Sequence, residues 1–396
     1  MTRKFQTKKS RVLLLLLFFS PTCDQSEFNK NTVSYLNLGD ADYISNAHST
    51  LDGGFLLAGS TTSVRNNEDM LVIKLDADLN LQWGKTFGAE RADEAFDAIE
   101  TRDHQFLVTG RIRSDDGDYD LYVAKLNAYG EMVWSRIFGG TGYDEGRRLH
   151  DLGDDRYMVI GRTDGFGAQN SDIWLLTLDN DGDSLSSKTV GWPFDEIPLG
   201  SIRTDDGDLL ITGYSGSFGS FYRAMLVKID LEGNIVWYQS YGGCNRMEGV
   251  SIVEVPGGGY VVAGRNGVRC HPYVNYDACF IRTGPTGDSL WTRNFGVTTY
   301  DELHSIVRLD DGSYLGVGQS YHISPKFVDD FQTYVIHLDA NGDSLWTRSY
   351  GGPQADGAVA ICSDAKGGFL IIGYTQNPHP GQTAILFIRT NSQGEF

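Results

Sequence analysis

The chain has 396 residues, of which 40% are apolar, 12% aromatic and 21% charged, with 48 glycines against 10 prolines. These values exclude a disordered tail, a collagen-like fibre and a polytopic membrane protein. With 33 basic against 52 acidic residues the net charge is −19, which speaks against nucleic acid as a partner because phosphate binding needs a cationic footprint.

The N-terminus reads as a targeting segment. Arg3, Lys4, Lys8, Lys9 and Arg11 precede an apolar run from Val12 to Phe19. That run is far short of the roughly twenty residues a bilayer span needs, but it suits the hydrophobic region of a secretory signal. Ending at Cys23, the segment resembles a bacterial lipoprotein signal. The resemblance implies cleavage after residue 22, lipidation of Cys23 and a short tether over residues 23–31, with ordinary signal cleavage as the alternative. Removal of residues 1–22 takes away five positive charges and no acidic ones, leaving about −24. The expected location is the outer membrane or cell surface, with the membrane touched only through the N-terminal lipid; a periplasmic or secreted protein is the alternative.

Beyond the leader the chain repeats. A large apolar residue followed by three mostly small or aliphatic residues and glycine recurs seven times, ending at Gly59, Gly110, Gly161, Gly213, Gly264, Gly318 and Gly373. The intervals are 51, 51, 52, 51, 54 and 55 residues. A second landmark, D/N-x-x-G-x-x-x-W, runs from Asn127 to Trp134, Asp230 to Trp237 and Asp339 to Trp346. A third glycine follows five residues later, at Gly88, Gly139, Gly191, Gly242, Gly296 and Gly351. Periods near fifty residues with several short strands each mark a propeller, whose blades must stack to bury their faces. The second repeat shows four strands: a (Glu94 to Thr101), b (Gln105 to Arg111), c (Asp120 to Leu126) and d (Met132 to Phe138). Strand b is apolar on both faces, as a strand between adjacent blades should be. Asp52-Gly53-Gly54 and Asp205-Asp206-Gly207 supply hairpin chemistry between a and b. The expected fold is one all-β, seven-bladed β-propeller over residues 32–396. Thr32 to Leu38 aligns with strand d and is expected to complete the seventh blade as a clasp.

The recurring D-G-G-F/Y-x-x-x-G and K-L-D-x-x-G-x-x-x-W, with segments such as Phe138-Gly139-Gly140-Thr141-Gly142-Tyr143-Asp144-Glu145-Gly146, resemble the repeats of bacterial exported β-propeller proteins of Bacteroidetes-like envelopes. That family is mostly of unknown function, so the resemblance implies a fold and leaves activity open. The turn ending in tryptophan also looks like the tryptophan-docking repeat of quinoprotein propellers. The spacing is one residue shorter and the usual threonine is missing, so no quinone site is carried over.

Acidic residues recur where strand a begins: Asp93-Glu94, Asp144-Glu145, Asp195-Glu196 and Asp301-Glu302, with Glu248 and Asp356 at aligned positions. Because strand a is innermost, they are expected at one mouth of a central channel. The favoured reading is structural, with Arg91, Arg147 and Arg246 as counter-charges. The alternatives are calcium binding, or acid/base work on a glycan by Asp144, Glu145, Asp301 or Glu302. Asp179-Asn180-Asp181-Gly182-Asp183 looks like half a calcium loop, but its twelfth position is Val190, so an ordinary c–d turn is favoured.

The two longest b–c loops carry the candidate binding residues: His271, Tyr273 and Tyr276 in blade five, and Tyr321, His322, Phe327 and Phe331 in blade six. Loop insertions on one face of a repeat array commonly build a binding surface, and aromatic groups with a polar edge suit sugar rings or peptides. The alternative is that these rings pack together to hold long loops down. A Cys244–Cys270 disulfide is expected on the same face, Cys279 being the competing partner, and Cys362 is read as a buried thiol. No metal-ligand spacing, nucleophile elbow or phosphate loop occurs, so no cofactor is expected beyond the calcium alternative. The expected function is a non-catalytic module that binds a protein or glycan through the blade five and six loops, as an accessory subunit of an envelope complex. The rival is a glycan-active enzyme.

Overall fold

The computed structural model describes residues 33–36, 41–62, 68–88, 91–114, 117–166, 168, 170–243, 245–267, 275–296, 300–322, 330–352, 354–376 and 383–395. The leader and tether assignments, and Cys23 with them, lie outside the described residues. Among the described residues, 28 strands form seven antiparallel four-stranded sheets. The first holds β2 (Asp42–Ser49), β3 (Phe55–Thr61), β4 (Asp69–Leu75) and β5 (Leu81–Phe87), and the second β6 (Glu94–Glu100), β7 (Phe106–Arg113), β8 (Tyr119–Leu126) and β9 (Met132–Phe138). The third holds β10 (Asp144–Gly153), β11 (Arg156–Thr163), β12 (Asp172–Leu178) and β13 (Ser184–Val190), and the fourth β14 (Glu196–Arg203), β15 (Leu209–Ser215), β16 (Arg223–Ile229) and β17 (Ile235–Tyr241). The fifth holds β18 (Met247–Glu254), β19 (Tyr260–Gly267), β20 (Tyr276–Thr283) and β21 (Ser289–Phe295), and the sixth β22 (Asp301–Arg308), β23 (Tyr314–His322), β24 (Asp330–Leu338) and β25 (Ser344–Tyr350). The seventh joins β26 (Asp356–Ser363), β27 (Phe369–Thr375) and β28 (Ala384–Thr390) to the N-terminal β1 (Val33–Leu36).

This is an all-β, seven-bladed propeller, and its last blade takes its outer strand from the N-terminal region, Val33 facing Ile388 and Leu36 facing Ile385. Packing divides the described residues into two units, one from 41 to 197 and the other of 33–36 together with those from 198 onward. Within each unit the core lies between consecutive sheets. Leu56, Val72 and Phe87 of the first sheet pack with Val108 and Tyr122 of the second. Val261 and Phe280 of the fifth pack with Leu303 and Tyr334 of the sixth. Middle strands such as β3, β4 and β12 are buried along their whole length, because a neighbouring blade covers each face.

Each sequence landmark has a steric cause. The strand-b glycine lies beneath a carbonyl of strand a. A Cβ on Gly110, Gly161, Gly264 or Gly318 would stand 1.9–2.0 Å from the carbonyl oxygen of Glu94, Glu145, Glu248 or Glu302, far inside contact distance, and strand a bulges just beyond. The tryptophan of one blade sits on the c–d turn glycine of the next: Trp83 on Gly130, Trp134 on Gly182, Trp237 on Gly287 and Trp291 on Gly342, with a Cβ there 2.6–2.7 Å from the ring. The Trp83 and Trp134 indole N–H groups donate to the carbonyls of Ala128 and Asn180 in those turns, at 3.1 and 2.9 Å. The third glycine makes room for the residue opening strand c, since a Cβ on Gly139, Gly191 or Gly296 would strike the carboxylate of Asp120, Asp172 or Asp277.

Polar groups tie the repeats as well. The lysine of K-L-D is buried and pairs with the aspartate of the a–b turn: Lys74 with Asp52 at 2.8 Å, Lys125 with Asp103 at 2.9 Å, and Lys228 with Asp206. Innermost strands are latched by side-chain oxygens. Asp97 accepts from Asn46, His48 and the Leu149 N–H, and the hydroxyls of Ser251 and Ser305 accept from the N–H groups of Ile306 and Ile361. Burial would raise the Asp97 carboxyl, but its partners hold it below the usual carboxylate range.

Gly182→Ala and Gly207→Ala separate the two roles of turn glycines. Both have positive φ, 78° and 94°, but nothing lies within 4 Å of a Cβ on Gly207. Urea denaturation should show a loss of about 1 kcal/mol for Gly207→Ala, the left-handed cost alone. Gly182→Ala should lose about 2 kcal/mol more because the Trp134 indole must leave its seat and its hydrogen bond.

Candidate binding site

Adjacent residues on a strand face opposite ways, so the pairs Asp93-Glu94, Asp144-Glu145 and Asp301-Glu302 divide, whereas in Asp195-Glu196 it is the glutamate that faces the strand-c residue Asp172. In the three divided pairs the aspartates turn towards the residue opening strand c. Asp93 accepts from the Arg113 N–H, Asp144 from the Gly140 N–H, and Asp301 from the Ser320 hydroxyl, at 2.8, 3.0 and 2.5 Å. The glutamates turn the other way and sit cross-strand from the residue after the strand-b glycine: Glu94 faces Arg111, Glu145 faces Arg162, Glu248 faces Arg265 and Glu302 faces Gln319.

In the first unit Glu145 is fully buried. Its carboxylate lies 2.6 Å from the Arg147 Nε, 3.1 Å from the Arg162 Nε and 3.5 Å from the Arg111 Nη1, and it accepts from the Tyr143 hydroxyl at 2.9 Å. Arg111 also donates to Glu94 at 2.7 Å. Burial raises the Glu94 carboxyl, outweighing Arg111 and Arg147. The rings of Phe96, Tyr119 and Tyr143 lie 4.0–5.5 Å from these guanidinium carbons, a cation–π arrangement.

The second unit repeats the design. Arg265 donates to both oxygens of Glu248 at 3.0 Å and to Glu302 at 2.7 Å. Glu302 also accepts from Tyr300 at 3.1 Å and Gln319 at 2.6 Å, and Gln319 in turn accepts from the Tyr374 hydroxyl. His304 places Nε2 3.1 Å from Glu302 and Nδ1 2.8 Å from the Ala358 carbonyl. With an acceptor on each nitrogen the ring is held as imidazolium. Burial opposes both charges, but Glu302 raises the imidazole above its usual value, while His304, Arg265 and Gln319 hold Glu302 down at about 2. Glu302 is therefore an ionised acceptor whose lone pairs are spent.

Over this ionic centre lies an aromatic run. Tyr276 and Tyr300 are 5.4 Å apart, Tyr300 and Phe331 5.7 Å, and Phe331 and Tyr321 5.3 Å. The first two flank the Arg265 guanidinium, and all four rings are half-buried. Three of the expected loop residues, Tyr276, Tyr321 and Phe331, thus come together through Tyr300. His271, Tyr273 and Phe327 lie outside the described residues, as do Cys244 and Cys270 with their expected disulfide, and His322 is placed only as the end of β23. Of the expected counter-charges, Arg147 pairs with Glu145 and Arg246 with Glu248, and Arg91 donates to the Ser114 carbonyl. Cys279 is a buried free thiol in β20, and Cys362 is buried in β26. The stretch from Asp179 to Asp183 is the β12–β13 turn, with the Asp179 carboxylate taking the N–H groups of Asp181 and Asp183. Among the described residues, no three acidic, histidine or cysteine side chains converge as a metal site.

Missed at the sequence level were Arg111, Arg162, Arg265, Gln319, Tyr143, Tyr300 and His304. A signal for them was present: a long polar residue follows the strand-b glycine in just those blades where a glutamate holds the second position of strand a. The triplet Tyr-Asp-Glu also opens both β10 and β22.

Neither a protein-family profile nor a curated protein sequence matches the chain. Solved structures do, at the level of fold. YCF48 bound to a D1 peptide is 11% identical with a TM-score of 0.54, covering 94% of this chain and 99% of that one. Sqt1 from Chaetomium thermophilum is 12% identical with a TM-score of 0.51, covering 89% and 97%. A protein of unknown function from Bacteroides caccae is 14% identical with a TM-score of 0.47, covering 78% and 98%. The chain is thus similar in fold to YCF48 and Sqt1 at low sequence identity.

Replacing Glu302 by glutamine should cost about 3 kcal/mol at pH 5.5, because Arg265 and His304 are left buried without their carboxylate. The sign is fixed by the shifts: Glu302 contributes above its unfolded value and loses this as pH falls towards 2, and His304 contributes below its unfolded value and loses this as pH rises. The difference between wild type and Glu302→Gln in urea midpoints should therefore be largest near pH 5.5 and shrink at both ends.

Proposed function

We propose that the protein is an exported, lipid-anchored, non-catalytic β-propeller that binds a protein or glycan partner through the blade five and six loop face, as an accessory subunit of an envelope complex. The observation that carries the reading is the run Tyr276, Tyr300, Phe331 and Tyr321. Its rings are fixed by the ionic centre below and by each other, so a ligand stacking on them meets a surface whose rotamer entropy is already lost. A propeller scaffold is commonly a binding platform, and YCF48, of similar fold, is bound to a peptide. The rival reading as a glycan-active enzyme asks Asp144, Glu145, Asp301 or Glu302 to donate or accept a proton. Of these, Glu302 is held at about 2, so it is ionised at working pH and is a poor general acid. Export and lipidation rest on the basic leader, the apolar run and Cys23.

The test is affinity capture from detergent-solubilised envelopes with wild type and a Tyr276→Ala, Tyr321→Ala, Phe331→Ala variant shown by thermal melting to be folded. At least one abundant partner should be lost from the variant, and identical partner sets would refute the face. Labelled fatty acid should enter wild type and be absent from Cys23→Ala; equal labelling refutes the anchor.

A further inference from the structure

The corner where strand d of one blade turns into strand a of the next encloses a second, separate set of acids. Aligned residues at the start of strand c and at the start of the following strand a are Asp69 and Asp93, Asp120 and Asp144, Asp172 and Glu196, and Asp277 and Asp301. All but Asp277 are at least nine-tenths buried. At the first corner one oxygen of each acid lies over the same point on Gly88, 2.4 and 2.8 Å from where a Cβ would stand. Asp144 takes the Gly140 N–H and the Thr163 hydroxyl, but among the described residues its fully buried Oδ1 has no hydrogen-bond partner, and the same holds for Oδ1 of Asp172. Two carboxylates cannot satisfy each other, since neither has a hydrogen to give.

The exceptions in the repeat show what the corner requires. At the sixth the acid of strand c is replaced by Gln332, which lies with Asp356 over Gly351 and gives its amide hydrogens to backbone carbonyls. At the fourth the strand-c residue is Arg223 and the strand-a position is Met247, with no carboxylate. A carboxylate beside an amide, or a cation beside an apolar side chain, avoids two like charges in one buried pocket.

We propose that the corners holding Asp144, Asp172 and Asp277 are proton-binding sites, the carboxyl group that faces a second acid taking up one hydrogen as pH falls below neutral, so that these blade corners tighten in acid and loosen in alkali. The groups facing the pairs favour uptake. Asp144 is faced by Asp120 and Asp164, and Asp118 takes the Gly142 N–H beside it. Asp172 is faced by Glu196, with Asp195 on the Ser171 N–H. Asp277 is faced by Asp301, with Tyr334 and the buried Cys279 nearby. Burial first, and these acids second, push Asp144 and Asp172 up to about 6 and raise Asp277. A group raised from 3.8 to about 6 lets the folded state hold protons that the unfolded state has released, so stability falls as pH rises through that window, about a hundredfold in the folding constant per group.

The experiment compares urea unfolding of the full chain at pH 5 and pH 8 for wild type, Asp120→Asn, Asp172→Asn and Asp277→Asn, each placing an amide where Gln332 already stands. Because His304 also weakens the fold as pH rises, the readout is the difference between variant and wild type. Asp172→Asn should lose about tenfold of the wild-type change in folding constant between the two values, and Asp120→Asn and Asp277→Asn a smaller part of it, each becoming relatively more stable at pH 8. Infrared difference spectra of wild type should show a protonated-carboxyl band that bleaches between pH 5 and 8 and is reduced in each variant. A pH dependence unchanged in all three variants would overturn the proposal. So would stabilisation of wild type at pH 8 by micromolar calcium that Asp120→Asn abolishes, since the pairs would then hold a cation.

Discussion

The blades hang on a single close approach: strand b slides under a carbonyl of strand a at a position that has no room for a side chain. That contact sets the register, because the glycine can lie opposite only one residue of strand a, and a slip by one would drive a Cβ into the backbone. The bulge that follows restores pairing further down the strand. In four blades a glutamate supplies the covering carbonyl, so its side chain is delivered opposite the residue after the glycine. The steric rule that shapes the sheet thereby also aims the carboxylate.

What is built on that register differs by blade. Where Arg or Gln follows the glycine, the glutamate becomes the hub of an ionic cluster, and aromatic rings of the strand-c opening and the d–a loop close over it. Where Tyr43 or Gly357 covers the glycine instead, there is no carboxylate to gather such a cluster. Desolvating Glu145 and Glu302 is costly, and only multiple donors make it tolerable. The return is rigidity: Tyr143 and Tyr300 are each pinned by a hydrogen bond to the glutamate two residues on.

The fold was legible because its constraints recur. A glycine under a carbonyl, a glycine under an indole and a glycine beside a strand-c side chain each leave a mark every fifty-odd residues, and periodicity amplifies them. The site was legible only in part. Tyr276, Tyr321 and Phe331 stood out as aromatic residues in long loops, but their link, Tyr300, lies in a different loop. Glu302 was conspicuous beside Asp301, yet treating the two as a pair of like charges obscured that strand alternation sends them to opposite sides. Arg265 stands in a strand with no local sign that it spans two blades, since that follows only from stacking, a relation between residues 37 apart.

The borrowed strand of the seventh blade has a consequence for biogenesis. Val33 through Leu36 must find partners at Ile385 through Ile388, so they emerge first from the ribosome and are matched last. Until then β28 offers an open hydrogen-bonding edge, and β1 stays a short extended peptide with nothing to pair with. Contacts of such long sequence separation form slowly and leave a window for misassembly between chains. Closure of the seventh blade therefore depends on keeping β1 and β28 apart from other copies until they meet.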